Sequence, residues 1–446
     1  ARQLRVTFAG HDVMRNQSRG VEAPYDSMPT VMDLRLDLGR GRIVREGSNS
    51  FPGGAHRRFR SVTDSARHYR MDLRTGTYEV PEWPAVERQY GNLFLLPQHI
   101  LLAARENLAT LRWLGRMRLS TGAPVDVVAV SMAGAPLSLA FDPRTRHLRA
   151  TLAVFPDALV GDVGSETEFT DYRNLNGVLL PTRRISRTGG EVTRDFAYTS
   201  ATPGYEIADS MVALLAGMAR AQAAPQAEPV RTLAPGVWAV GNPGAAALAV
   251  AFRDHVLVVD APAWTSAEAV ERIAALAPGK PIRYVVPTHH HDDHAGGVKH
   301  FAAAGAAIVT TPGNRGYMER IATARSTVQA DIPPLAGSPR VETIAGGRRV
   351  FTDGSRTVEI HDIGPGPHAR EMLVAWIPEE GILFQGDLID VSGDGAVTRG
   401  TNNETTVHFA EWLRRRRWNV RVFGGTHGFL RDPAAFEEIL RQPIAR

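Results

Sequence analysis

The segment Thr288–Gly297, Thr-His-His-His-Asp-Asp-His-Ala-Gly-Gly, constrains this chain more than any other. It packs four imidazoles and two carboxylates into the six residues His289–His294. An apolar run, Ile282-Arg283-Tyr284-Val285-Val286, leads into it and stops at Pro287. Such a run predicts a buried strand. Ionisable groups at the end of a buried strand are costly unless they find partners. Neutral imidazole together with carboxylate is a donor set for zinc and similar divalent ions. The spacing His-x-His-x-Asp-His lets His289 and His291 hold one ion and Asp293 and His294 a second. The competing reading is a polar loop with unrelated histidines. It is disfavoured because the rest of the chain supplies the missing ligands.

The motif resembles the signature of the metallo-β-lactamase superfamily, and the resemblance covers roughly Val230 to Arg446, about half the chain. It implies an α/β fold, an αββα sandwich, preceded here by a separate, mostly antiparallel β (α+β) domain. The family pattern has three further ligands downstream. His368 follows Gly364-Pro365-Gly366-Pro367, after the strand-like Val358-Glu359-Ile360; Asp387 ends the apolar run that starts at Gly381; His427 lies in Gly424-Gly425-Thr426-His427-Gly428 after Val420–Phe423. All three sit where a strand gives way to a loop, which is where a layered α/β scaffold presents its chemistry.

Carried across residue by residue, the resemblance assigns His289, His291 and His368 to a first metal ion. It assigns Asp293, His294 and His427 to a second, with Asp387 and a water or hydroxide bridging the two. Sites of this kind hold their ions ~3.5–4 Å apart and lower the pKa of the bridging water toward ~7. The expected cofactors are two divalent ions, zinc first, with iron and manganese as alternatives because these ligands do not choose sharply. Asp387 and Asp293 are the candidate catalytic carboxylates, the first as bridge and the second also placed to handle a proton. Asp260, at the end of Val256–Val259, is expected to orient the motif loop from behind, a plain turn residue being the alternative. His290 and Asp292 fill variable positions of the motif and are expected not to bind. His300, His361 and His408 are expected to be structural or solvent-facing.

A bridging aspartate with histidine at the other positions resembles lactonases, glyoxalase II-type thioesterases and related hydrolases. The expected reaction is therefore hydrolysis of an ester, lactone or related acyl bond in a small-molecule substrate. The superfamily's true β-lactamases generally lack the bridging aspartate, and one branch uses a cysteine that this chain does not contain. That counts against β-lactam hydrolysis without removing it. Its nucleases usually carry an inserted domain, for which the stretch between Asp387 and His427 is too short, so no nucleic-acid partner is expected. Phosphodiester or organophosphate hydrolysis remains an alternative. The non-enzymatic alternative is a lipid- or ligand-binding carrier with a vestigial hydrolase domain. A complete ligand set argues against it.

At 446 residues the chain is too long for one ordinary core, so two domains are expected. Hydrophobic residues make up 43% and charged residues 22%, as in globular proteins. No apolar run approaches the ~18 residues of a membrane-spanning helix. A net charge of +4 does not by itself argue for nucleic acid. The densest basic cluster, Arg414–Arg417, follows Phe409–Leu413 and reads as the end of an amphipathic helix, where cations complement the helix dipole, rather than as a phosphate site. With no cysteine, thiolate ligands and disulfides are excluded. The start at Ala1, without Met or an apolar leader, reads as a chain after signal removal or as a trimmed sequence. The expected location is periplasmic or secreted, with a cytoplasmic one left open. A homo-oligomer is compatible with all of this.

The domains are expected at 1–205 (β-rich), 206–229 (a helix and an Ala/Pro linker) and 230–446 (catalytic). In the first, Met32, Leu34, Leu36 and Leu38 alternate with charged residues, predicting a strand, and Gly39-Arg40-Gly41 turns it into Arg42–Arg45. Further strand runs are Val125–Val130, Leu137–Phe141 and Leu148–Leu152, with turns at Asp142–Thr145 and Asn174–Gly177, and another pair flanks Arg74-Thr75-Gly76. One helix is predicted from about Gln98 to Leu114, with Leu101, Leu108, Leu111 and Leu114 on a common side. The rhythm from Ser131 to Tyr198 resembles the half-barrel of the bacterial lipoprotein-carrier family, which implies an envelope or secreted location and an apolar groove. The alternative is an appendage that shields or dimerises the catalytic domain. Helical periodicity over Glu206–Met218 runs into the linker Ala221–Pro229. Thr265-Ser266-Ala267-Glu268 reads as a capped helix start. Pro312–Gly337 and Val391–Thr406 are the expected active-site rim.

Overall fold

A computed structural model describes residues 2–50, 56–64, 67–73, 76–80, 96–132, 135–221, 229–242, 244–328, 335, 337–389 and 403–444. Most of the linker Ala221–Pro229 and of the rim segment Val391–Thr406, and part of Pro312–Gly337, lie outside the described residues. No described helix is long and apolar enough to cross a membrane.

The N-terminal half is a meander. Strand Ser27–Asp37 buries Leu34 and Leu36 and pairs antiparallel with Arg42–Ser50, Leu36 opposite Ile43. Two runs of hairpins, joined where Gln3–Val13 pairs antiparallel with Glu191–Pro203, extend this pair into a sheet of 14 strands among the described residues. All its neighbours are antiparallel except Ala219–Arg220, which joins Thr77–Tyr78 in parallel. The turn at Asn176 and Gly177 takes φ of 51° and 85°, the left-handed pair that a two-residue hairpin needs.

Two expected helices are shorter than their periodicity suggested. The first is Pro97–Arg105. Asn107 Nδ2 turns back to the Ala103 carbonyl (2.9 Å), a 3₁₀ turn follows at Leu108–Thr110, and Arg112–Arg118 joins the sheet as an edge strand. Leu101, Leu108 and Leu114 are exposed; the helix instead buries Ile100, Ala103 and Ala104 against Val130, Met132, Leu139, Leu148 and Phe169. The leucine spacing thus bridged a helix, a turn and a strand, and strand pairing overrode it. The second, expected over Glu206–Met218, is the single turn Asp209–Val212. Ala208 offers no side-chain cap, Ala213 is already extended, and Gly217 takes φ of 78°. Ile207 and Val212 are held individually on the sheet, beside Val44, Val62 and Met71.

The C-terminal half is two sheets packed face to face. Among the described residues one has seven strands, from Val230–Ala234 to Val341–Thr343, and the other six, from Arg348–Thr352 to Phe429–Leu430. Strand Val256–Val259 shows why its sequence is continuously apolar. Leu257 and Val259 enter the core between the sheets with Val358, Ile360, Ala375 and Phe384. Val256 and Val258 face the other way, into a core closed by helices Ser266–Leu276, Val298–Ala303 and Arg315–Thr323. Burial on both faces replaces alternation by an unbroken run. On the far side, helices Glu404–Arg414 and Pro433–Arg441 cover the second sheet through Phe409, Trp412, Phe436 and Ile439. The layers are therefore helix, sheet, sheet, helix, as expected. Helix Ser266–Leu276 starts at Thr265, but Thr265 Oγ1 bonds the Ala245 carbonyl (3.0 Å) instead of capping. Arg416 stacks on Trp412, 3.3 Å from the ring centroid, at the solvent edge of its helix.

Candidate metal centre

Parallel pairing places the chemistry. Val256–Val259 runs parallel to Ile282–Val286 in one sheet, and Ile382–Phe384 runs parallel to Val422–Gly424 in the other. Their C-terminal ends release Asp260, the His289–His294 loop, Asp387 and His427. His368 joins them from the loop between Thr357–Asp362 and Leu373–Ile377. Gly386, with φ of 63°, makes the approach of the Asp387 loop feasible: a Cβ there would lie 2.5 Å from Thr288 Oγ1.

The seven sequence-derived ligand candidates converge as two groups, His289, His291, His368 and Asp387 in one and Asp293, His294, Asp387 and His427 in the other. The ligand atoms of each group lie within 4.8 Å of one another. Asp387 belongs to both groups through different oxygens. Its Oδ2 is 3.2 Å from His368 Nε2 and 3.9 Å from His289 Nε2, while its Oδ1 is 3.0 Å from His294 Nε2 and 3.1 Å from His427 Nε2. Asp293 Oδ2 lies 3.2 Å from His427 Nε2.

The donor set fits divalent cations. His291 Nδ1 is buried without a hydrogen-bond partner, which is expensive for a polar atom unless a cation takes it up, and the buried His294 Nε2 and Asp387 Oδ1 meet only other members of the cluster. His289 Nε2 and His368 Nε2 face each other at 3.2 Å, two ring nitrogens aimed at a common point. The opposite ring nitrogens are held. His291 Nε2 donates to the Ser18 carbonyl (2.9 Å), His294 Nδ1 to Asp260 Oδ2 (2.9 Å) and His427 Nδ1 to the Gly244 carbonyl (2.7 Å). A proton fixed on the far nitrogen leaves the lone pair of the near one pointing into the centre.

Asp260 lies behind the motif loop. Fully buried, at φ of 65°, it accepts from Thr288 N–H (2.6 Å) on Oδ1, and from His294 Nδ1 and Thr426 Oγ1 (2.6 Å) on Oδ2. It ties the motif loop to the His427 loop. His290 and Asp292 lie outside both groups: His290 donates to Ser18 O (2.7 Å), and Asp292 accepts from Gln17 (2.7 Å). Of the expected rim, Tyr317 sets its ring edge-on to His290. Sequence reasoning missed Gln17 and Ser18, which reach the motif from more than 270 residues away. No local pattern marks them.

Charge is distributed unevenly over the cluster. With protein groups alone, burial and neighbouring histidines hold His289 and His291 well below the ordinary imidazole range, so both are neutral. Burial also opposes charge on His294, but Asp387, Asp260 and Asp293 outweigh it and push His294 well above that range. His427 is likewise raised against burial, to about 10, by hydrogen bonds to Asp293 and Asp387. Burial would raise Asp387, yet His294, His368 and His427 hold it far below the usual carboxylate range.

A raised histidine stabilises the folded chain fully below its unfolded value, near pH 6.5, and loses that contribution as pH rises through the folded value. Protein stripped of metal by a chelator is therefore expected to melt several degrees lower at pH 10 than at pH 6.5. The His427 share is softened by its 36% side-chain exposure. Metal-loaded protein should lose less over the same interval, because a bound cation replaces the imidazolium. Paired thermal melts across this window check it; identical slopes for the two forms would contradict the charge assignment.

A family model described as "Metallo-beta-lactamase superfamily" matches residues 242–424. A curated relative, "Metallo-beta-lactamase type 2" from Elizabethkingia meningoseptica, is 26% identical over 166 residues, covering 36% of this chain and 59% of the relative. The chain thus spans less than two thirds of that relative's length. Among solved structures, a metallo-beta-lactamase from Pontibacter korlensis is similar at 16% identity and a TM-score of 0.34, over 65% of this chain and all of that one. A metallo-beta-lactamase from Erythrobacter litoralis is similar at 23% identity and a TM-score of 0.34, over 47% of this chain and 93% of that one. Members of this superfamily are metal-dependent hydrolases. Residues 242–424 of the sandwich, which carry every candidate ligand except His427, are a metallo-beta-lactamase superfamily domain.

Proposed function

We propose that the protein is a dinuclear metal-dependent hydrolase, zinc being the favoured ion, which cleaves an ester, lactone or related acyl bond. The observation that carries the dinuclear reading is Asp387, whose two oxygens face two different ligand groups. His289, His291 and His368 would hold one ion, Asp293, His294 and His427 the other, and Asp387 would join them. Two divalent ions supply a water nucleophile at neutral pH and polarise the scissile oxygen. The chain's own contribution is placement. Asp260, Ser18 O and Gly244 O fix the tautomers of His294, His291 and His427. Asp293, a member of the second group within reach of His427, would carry a proton between nucleophile and leaving group.

A second reading, β-lactam hydrolysis, is supported by the name of the curated relative. The cysteine-free ligand set with its shared aspartate favours the first. A substrate panel separates them: a lactone, a thioester, an aryl ester, a chromogenic cephalosporin and a bis-aryl phosphate. Turnover of an acyl ester or lactone, abolished in His291→Ala while the β-rich N-terminal domain keeps its circular dichroism, is the expected result. Cleavage of the cephalosporin or the phosphate alone overturns the substrate class, and undiminished turnover by His291→Ala overturns the ligand assignment.

A further inference from the structure

The N-terminal domain enters the metal centre. Strand Gln3–Val13 and strand Ser27–Asp37 are joined by a loop that lies against the His289–His294 segment. That loop is rigidly braced. Asp26 accepts from Ser18 Oγ (3.1 Å), Arg19 N–H (2.8 Å) and the Arg19 guanidinium (2.6 Å), and Met14 N–H donates to the Asp26 carbonyl (2.9 Å). It is also tied to the other side of the centre, since Arg370 N–H, two residues beyond His368, donates to the Arg19 carbonyl (2.8 Å). A second contact from the same domain supports it. Leu159, at the tip between strands Leu148–Asp157 and Gly161–Leu175, is 2% exposed and packs in the core that contains Ala295 and Val298.

From this frame two groups reach the ligands. The Ser18 carbonyl accepts from His291 Nε2 (2.9 Å) and His290 Nε2 (2.7 Å). The Gln17 amide donates to Asp293 Oδ1 (2.9 Å) and Asp292 Oδ1 (2.7 Å). We propose that Gln17 and Ser18 of the N-terminal domain are positioning residues for the metal ligands of the C-terminal domain, so that the metal centre is complete only with both. This rests on the dinuclear reading above. The Ser18 carbonyl keeps the proton of His291 on Nε2 and leaves Nδ1, which has no protein partner, for the ion. The Gln17 amide occupies Asp293 Oδ1 and leaves Oδ2, on the His427 side, for the second ion. A neutral amide does this without adding charge to the cluster. Partners of this kind commonly tune metal affinity by ~10–100-fold.

Simple domain glue would make the same contacts, so the test must read the ions themselves. In the full chain, Gln17→Leu removes the donor and leaves an apolar side chain in its place. Metal release is followed by titrating a chelator against zinc-loaded protein, and cobalt-loaded protein reports each site by its visible absorption. One of the two ions is expected to leave at a chelator concentration ~10–100-fold lower than in the parent, with the other shifted far less and the visible bands changed. Asn16→Ala, which touches Asp157 but neither metal-ligand group, should leave both ions as in the parent. Should Gln17→Leu not fold, Gln17→Glu decides, since it keeps size and polarity but sets an anion against Asp292 and Asp293. Its second ion should be held at least as weakly. Release curves and spectra that match the parent, or both ions lost in parallel, overturn the proposal. A parent chain that takes up no metal would instead mark failure of the dinuclear reading.

Discussion

Replacing Asp387 by alanine is expected to lower turnover by at least ~10²–10³-fold, the scale on which one preorganised electrostatic contact acts. The loss is asymmetric. Asp387 Oδ1 faces His294 and His427, the two histidines that carry charge when only protein groups are counted, and Oδ2 faces the neutral His289 together with His368. Without Asp387 the second group keeps Asp293 as its one carboxylate, and the first group keeps none but retains three imidazoles. Three imidazoles suffice for a catalytic zinc, whereas the second group loses the oxygen that lies nearest its histidines, 3.0 Å from His294 and 3.1 Å from His427. Asp387→Ala should therefore retain close to one ion per chain after dialysis, and Asp387→Asn should fall between it and the parent. Elemental analysis with steady-state kinetics reads both quantities. Full occupancy with unchanged turnover would remove Asp387 from the centre.

Asp260→Ala is expected to be the most destabilising single change at the site. The carboxylate is fully buried and accepts three hydrogen bonds, from Thr288 N, His294 Nδ1 and Thr426 Oγ1. Its removal strands three donors and takes a counter-charge from His294. Breaking a buried charged pair costs about 3–5 kcal/mol, which corresponds to a fall of roughly ten degrees in Tm for a domain of this size. Asp260→Asn separates stability from chemistry. Asparagine keeps the volume and one acceptor, so most of the stability should return. Its amide then competes with His294 Nδ1–H for the same geometry and favours the tautomer with its proton on Nε2, the wrong one for binding an ion. Metal affinity should stay ~10–100-fold low even as Tm recovers. An asparagine variant with native Tm and native affinity would show that Asp260 does not set the tautomer.

The layered fold of the C-terminal half and the convergence of its histidines and aspartates were legible in the sequence, whereas the helices of the N-terminal half were not. The His289–His294 segment is local, and its six residues sit in one loop and one short helix, Asp292–Ala295. His368 follows the alternating, half-buried strand Thr357–Asp362 and His427 follows the short strand Val422–Gly424, whereas Asp387 follows Ile382–Phe384, which is buried throughout and so reads as an unbroken apolar run. Asp260 was legible for the same reason. Gln17 and Ser18 were not, because their contacts depend on how one domain rests on another, and a glutamine or a serine carbonyl in a loop carries no signature. The two misjudged helices failed differently. Leu101, Leu108, Leu111 and Leu114 fit a helical repeat, yet only a helix that can bury that face persists. Here Leu111 alone packs on the core while Leu101, Leu108 and Leu114 stay exposed, and the chain turned into an edge strand instead.

The most direct test of the account is the metal content of the full chain by elemental analysis, after loading with zinc and dialysis at neutral pH. The two groups that share Asp387 predict close to two ions per chain. A folded protein that holds less than one ion, and gains none when zinc is added, would contradict the dinuclear centre and with it the proposed hydrolase.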